Sequence, residues 1–123
     1  MKVTNYANSR RLAEIGFKKN SIIGFFKSKC GVGGKFYISD GFKEGYDLEF
    51  PAFDLETILE ALPDLIFGEN KYKENYRLTY NSALGFFYPN LEKSFCKKEN
   101  ESLADCAARL LIMLFEKKLI EVK

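Results

Sequence analysis

The residues with the most evident chemical potential form a glycine-rich segment in the first half of the chain, residues 30–35, which reads Cys-Gly-Val-Gly-Gly-Lys. Backbone N–H groups in such a segment, together with a lysine, can bind phosphate. A nucleotide-binding P-loop, however, has four residues between its glycines, a Ser or Thr after the lysine, and then a helix. Here Lys35 leads into a run typical of a strand, residues 36–38. We therefore interpret the segment as a hairpin tip without a phosphate site.

The cysteines are the second group of candidate reactive residues, at Cys30, Cys96 and Cys106. Neighbouring lysines can lower the pKa of the Cys30 thiol, so this residue is a candidate reactive cysteine, although no base accompanies it. The odd number of cysteines and the absence of C-x-x-C spacing favour reduced thiols. Cys106 falls among alanines on a predicted helix, where it is expected to be a small core residue.

The chain contains no histidine. This excludes Ser–His and Cys–His nucleophile pairs and removes the commonest zinc ligand. Glu56 and Glu60 lie four residues apart on a predicted helix, but carboxylates opposite an apolar stripe are typical of a solvated face. We therefore predict no catalytic residue, no metal and no cofactor, and we do not expect an enzyme.

Lysines and aromatic residues interleave in the first half of the chain, where residues 1–50 hold nine Lys or Arg against five Asp or Glu. Aromatic side chains on a sheet can stack on the bases of single-stranded nucleic acid. The candidate contacts are Lys27, Lys29, Lys35 and Tyr37. Lysines also commonly solubilise strand edges, and the formal net charge is only +2. A nucleic-acid-binding module is therefore the alternative prediction, and an ordinary sheet surface is favoured over it.

Three helices are predicted from apolar periodicity and from residues suited to capping. The N-terminal caps are Thr4 or Asn5, then Asp54, and then Ser102 with Asp105 in an S-x-x-D pattern. Gly16 and Pro63 end the first two helices, and the third is predicted to run to about Leu119.

Strands are predicted at residues 21–27, 35–39, 46–50, 76–80 and 84–88, with a sixth short strand at 94–97 as an alternative. In the third strand, Tyr46, Leu48 and Phe50 are expected on the buried face, with the acidic residues between them in solvent. The order α-βββ-α-ββ(β)-α predicts an α+β fold in which one antiparallel sheet of about five strands carries three helices.

The chain has 123 residues, of which 46% are hydrophobic and 29% charged, and these values predict one globular domain over residues 1–123. The first residues lack the apolar core of a secretory leader. The longest uncharged apolar run spans the six residues 110–115, whereas a membrane span needs ~20. A cytoplasmic location without membrane contact is therefore expected.

The last predicted helix carries two apolar stripes. The first is typical of a core-facing helix and contains Leu103, Ala107, Leu110, Leu111 and Leu114. The second lies at i, i+4, i+7 and i+11 and contains Ala108, Ile112, Phe115 and Leu119. Two interpretations stay open for it: burial beneath the first helix, or an interface with a protein partner or with a second copy in a weak homodimer.

Two segments carry a resemblance to known proteins: residues 51–63, PAFDLETILEALP, and residues 101–111, ESLADCAARLL. They resemble parts of small uncharacterised proteins found in bacterial prophages and mobile elements. That group has no activity to transfer, so the resemblance implies only a phage- or mobile-element-derived accessory protein. The sequence thus predicts a non-catalytic accessory or protein-interaction domain.

Overall fold

The computed structural model describes residues 3–17, 19, 23–28, 37–40, 46–67, 75–89, 91 and 95–120. Along these residues the order is α1 (Tyr6–Glu14), β1 (Ile23–Ser28), β2 (Tyr37–Asp40), β3 (Tyr46–Pro51), α2 (Leu55–Ala61), β4 (Leu65–Phe67), β5 (Asn75–Arg77), β6 (Thr79–Asn81), β7 (Gly85–Phe87) and α3 (Leu103–Glu116). The predicted α+β class and the order of its helices are confirmed.

The predicted ends of the first helix are also confirmed. Asn5 caps α1, since its side-chain oxygen accepts a hydrogen bond from the Asn8 N–H at 2.9 Å. Gly16 adopts a left-handed conformation with φ of 89°. The chain thereby turns so that the Phe17 N–H donates to the Leu12 carbonyl at 2.9 Å, which is the hydrogen bond of a Schellman motif.

The second helix begins where its sequence predicts. The Asp54 carboxylate caps α2 by accepting from the Thr57 N–H at 2.8 Å. Hydrogen bonds from Thr57 lower the pKa of the Asp54 carboxyl, because they stabilise its charged form.

The third helix ends at Glu116, one turn before the predicted end at Leu119. Lys118 adopts a left-handed conformation with φ of 57°, which no helix interior allows. The Leu119 N–H therefore donates to the Leu114 carbonyl at 2.9 Å, and Lys118 donates to Phe115 at 3.1 Å. This is again a Schellman motif, formed here without the glycine that usually signals it.

The prediction of one five-stranded sheet is wrong. Among the described residues the seven strands form a three-stranded sheet in the order β2-β1-β3 and two separate antiparallel pairs, β4–β5 and β6–β7. The helix α3 contacts α1, α2 and β7. It therefore lies at the centre of the fold instead of covering one face of a continuous sheet.

A β-bulge changes the alternation expected in the third strand. Phe25 pairs with Phe50, but the next residue of β1, Phe26, pairs with Leu48, so Glu49 is an extra residue in β3. One inserted residue moves Leu48 to the face opposite Phe50. Phe50 is accordingly buried, whereas Leu48 is 53% exposed, and the prediction that both face the core is wrong. The Leu48 side chain lies against Gly24, where a Cβ atom would overlap it.

The core surrounds α3, because this helix is buried on most of its circumference. Its fully buried apolar residues come from both predicted stripes and are Ala107, Ala108, Leu110, Leu111 and Leu114. Small side chains on a helix allow neighbouring elements to approach closely, and this explains how α3 can be enclosed from several sides. In the described part of the chain, no helix is both long and apolar enough to cross a membrane.

Candidate functional site

The C-terminal ends of the three helices converge on an open groove with a volume of about 460 Å³. The residues that line it are Phe17, Lys19, Glu60, Ala61, Pro63, Phe115 and Ile120. Phe17 lies three residues beyond the end of α1, Glu60 and Ala61 are the last residues of α2, and Phe115 lies in the last turn of α3. We refer to this site as the helix-end groove.

Phe17 forms the floor of the helix-end groove and is held rigidly. Its ring packs edge-on against Phe53 with centroids 4.9 Å apart, and it also contacts the Phe115 ring at 6.3 Å. Only 5% of Phe17 is exposed. The left-handed turn at Gly16 places the ring there, so the end of α1 and the shape of the groove are determined together.

The wall formed by the end of α2 is fixed from inside the protein. The Tyr88 hydroxyl donates a 2.5 Å hydrogen bond to the Pro63 carbonyl, and Tyr88 itself is 2% exposed. Burial, together with the nearby charge of Asp64, raises the pKa of the Tyr88 hydroxyl. The hydroxyl therefore stays protonated and remains a donor to Pro63.

The third wall continues beyond α3. Lys118 is left-handed, and two residues later Ile120 lines the groove. Leu119, which directly precedes Ile120, is 38% exposed.

Two groups of opposite charge line the same groove, the Lys19 ammonium and the Glu60 carboxylate. Within the described part of the chain neither forms an ion pair. The groove therefore offers apolar contact and one charge of each sign. Partly apolar walls with a few charged groups are typical of binding sites.

The predicted second stripe does not form one surface. Ala108 is fully buried and Ile112 is 8% exposed, because α1 and α2 both pack against α3. Phe115 is half-buried in the groove and only Leu119 is exposed. Ala108 and Ile112 are thus buried within the chain, and a partner surface that includes Phe115 and Leu119 stays a prediction.

The predicted nucleic-acid contacts are only partly covered by the structure. β1 contains Lys27 and β2 contains Tyr37, and these strands are antiparallel neighbours as predicted. Lys29, Lys35, the glycine-rich segment and Cys30 lie outside the described residues, as do the side chains of Lys27 and Tyr37. The nucleic-acid interpretation stays a prediction.

A second cluster of polar residues surrounds Arg109 on α3. Its guanidinium donates to the two carboxylate oxygens of Glu101 at 2.5 and 2.8 Å and to the Cys96 carbonyl at 2.7 Å, and it lies 4.8 Å from the centre of the Phe95 ring. These contacts hold residues 95–101 against α3. This pair was not predicted from the sequence, because the seven residues between Glu101 and Arg109 include the start of a helix.

The cysteines of this region show no arrangement for catalysis. Cys96 is exposed, whereas Cys106 is fully buried, with its sulfur 3.8 Å from the Phe86 carbonyl. Burial raises the pKa of the Cys106 thiol, which disfavours the reactive thiolate. The expectation that Cys106 is a small core residue is confirmed.

Comparisons with family models, with curated proteins and with solved structures find no match to this chain.

Proposed function

We propose that this chain is a non-catalytic protein-interaction domain that binds through the helix-end groove. The observation that supports this most directly is the groove itself. Nine of the 14 residues of α3 are buried, yet Phe115 and Ile120 are only partly buried and line the groove together with the ring of Phe17. A preformed apolar depression of this kind suits the insertion of a bulky side chain.

The energetics support recognition of a protein. Burial of one large apolar side chain contributes roughly 1.5–3 kcal/mol, whereas association costs at least ~4 kcal/mol. A partner must therefore bring two or more apolar contacts. The charges of Lys19 and Glu60 would fix its orientation, since charged groups at the edge of an interface determine register more than affinity.

The biological setting of the proposal rests on the sequence alone. Because residues 51–63 and 101–111 resemble parts of prophage and mobile-element proteins, we propose an accessory role in such an element.

Selection from a displayed peptide library tests the binding surface. Peptides enriched on the unmodified protein should carry bulky apolar residues and shift the amide resonances of Phe17, Ala61 and Ile120. Ala61→Arg should abolish their binding, because the longer side chain fills the groove. The matched control is Ala13→Arg, on the exposed side of α1.

Equal thermal midpoints for the two arginine variants show that Ala61→Arg is folded. If Ala61→Arg unfolds the protein, Ile120→Asp at the groove edge takes its place. Peptides that bind both groove variants as well as the unmodified protein would contradict the proposal, as would peptides whose binding shifts no groove resonance.

A further inference from the structure

An exposed leucine directly precedes a residue that lines the helix-end groove. Leu119 is 38% exposed, and the next residue, Ile120, lines the groove. The Schellman hydrogen bond from the Leu119 N–H to the Leu114 carbonyl fixes the backbone of this leucine. An exposed apolar side chain next to a groove-lining residue suits a two-fold symmetric contact, because each copy can then insert its leucine into the groove of the other.

The charges of the groove match this symmetry. Lys19 and Glu60 both line it, have opposite signs, and form no ion pair within the described part of the chain. A partner with charge of one sign would satisfy one of these groups and be repelled by the other. A second copy that is rotated by 180° presents both signs, so that each Lys19 can face the Glu60 of the other copy.

We propose that the occupant of the helix-end groove is a second copy of this chain. In the resulting homodimer, Leu119 of each copy enters the groove of the other, and two reciprocal Lys19–Glu60 ion pairs flank the contact. This inference rests on the proposed function, because it assigns the partner of the same groove. Because the contact is small, the dimer is weak and depends on concentration.

Sedimentation over a wide range of protein concentration tests the dimer. The average mass of the unmodified protein should rise towards twice the monomer mass, whereas Leu119→Asp should remain monomeric. The matched control is Leu84→Asp, because Leu84 is 43% exposed in the turn between β6 and β7. This control should associate as the unmodified protein does.

Charge reversal gives a more specific test of the two-fold arrangement. Lys19→Glu and Glu60→Lys should each weaken association at least tenfold. Each variant places like charges opposite each other in both of the symmetric contacts. An equimolar mixture of the two variants should restore association, since both contacts in the mixed dimer again join opposite charges. Rescue by mixing requires that the two grooves face each other, because charges that lie outside the contact would not be compensated in the mixed dimer.

The outcomes separate this inference from the proposed function. A monomeric protein whose groove binds selected peptides would overturn the homodimer and leave the interaction domain intact. Dimers that resist Leu119→Asp, or charge variants that mixing does not rescue, would also overturn the inference. A protein that neither self-associates nor binds peptide in the groove would overturn both proposals.

Discussion

The carboxylate of Asp105 accepts a hydrogen bond from the backbone N–H of Asn5 at 2.7 Å, across 100 residues of sequence. The same oxygen accepts from the Asn8 side-chain amide at 3.0 Å, and the other oxygen accepts from the Ser102 hydroxyl at 3.0 Å. Because Asn5 caps α1 and Ser102 caps α3, one carboxylate orients the first turns of both helices. This contact fixes where α1 lies on α3, and hence where Phe17 meets Phe115 at their other ends.

Replacement of Asp105 by alanine should lower the free energy of unfolding by about 1–3 kcal/mol, because the Asn5 N–H loses its partner and α3 loses part of its capping arrangement. Asp105→Asn keeps one acceptor oxygen and should have a smaller effect. Urea unfolding measures both values. Glu99→Ala, an exposed carboxylate just before α3, is the control. Equal stability of Asp105→Ala and this control would contradict the shared-cap role.

Only the local half of this arrangement could be predicted from the sequence. Ser102 and Asp105 are three residues apart, and that spacing predicts their capping contact. Asn5 was also a predicted cap, but nothing in the sequence indicates that it shares the carboxylate of Asp105, 100 residues away, with the cap of α3. Such a contact depends on how helices pack, which local periodicity does not contain.

Stability in acid should depend on Glu101. Burial by itself raises the pKa of this carboxyl, but the hydrogen bonds from Arg109 and from the Lys98 N–H, together with the charge of Arg109, outweigh burial and lower the pKa below its ordinary 4.5. A carboxyl group whose pKa is lower in the folded state than in the unfolded state stabilises the fold. This stabilisation is complete at pH values above the unfolded-state pKa and is lost as the pH falls through the folded-state pKa.

The free energy of unfolding of the unmodified protein should therefore exceed that of Glu101→Gln by about 1–3 kcal/mol at pH 7. The difference should shrink as the pH falls below 4.5. Asp54, whose pKa is also lowered, is present in both proteins, so the difference isolates Glu101. A difference that stays constant from pH 7 to pH 3 would contradict this linkage.

The link between Gly85 and Cys106 should be measurable by a double-mutant cycle. Gly85 has φ of 75°, and a Cβ atom there would lie 2.7 Å from the Cys106 sulfur. Gly85→Ala should therefore lower the free energy of unfolding by roughly 1–2 kcal/mol because of the backbone conformation. Overpacking should lower it by a further ~1–3 kcal/mol. In a Cys106→Ala background most of the second part should disappear, because the sulfur is gone and the closest remaining contact is the Lys97 Cβ atom at 3.0 Å.

Gly16→Ala, at φ of 89°, gives the backbone cost separately. Thermal or urea unfolding of the four proteins of the cycle yields the coupling energy. Additive effects of Gly85→Ala and Cys106→Ala would show that the sulfur does not limit the space at Gly85.

Most strand positions could be predicted from the sequence, but strand pairing could not. The short strand β4 was missed, and the described residues 95–97 of the alternative sixth strand form no strand. The alternation of residues 76–80 predicts an extended segment, and the structure contains β5 and β6 there, with a break at Leu78. The Leu78 N–H donates to the Asp64 carbonyl, which continues the β4–β5 register by one residue before the chain enters β6. The helix-end groove was missed for a similar reason, since its walls come from three helix ends that are separated in sequence.

The buried hydroxyl of Thr4 should contribute measurably to stability. Its oxygen accepts from the Phe53 N–H at 3.0 Å and lies 2.6 Å from the Ser9 hydroxyl oxygen, and both Thr4 and Ser9 are fully buried. Thr4→Val keeps the shape of the side chain but leaves the buried Phe53 N–H without its acceptor. We expect a loss of about 1–3 kcal/mol in the free energy of unfolding.

The variant Thr4→Ser retains the hydroxyl and loses one methyl group, so it should cost only ~1 kcal/mol. Amide hydrogen exchange gives an independent measurement, since the Phe53 N–H should exchange faster in Thr4→Val than in Thr4→Ser at matched global stability. If valine and serine at residue 4 give equal stability and equal exchange at Phe53, then the methyl group and not the hydroxyl holds the first residues of the chain against the end of β3.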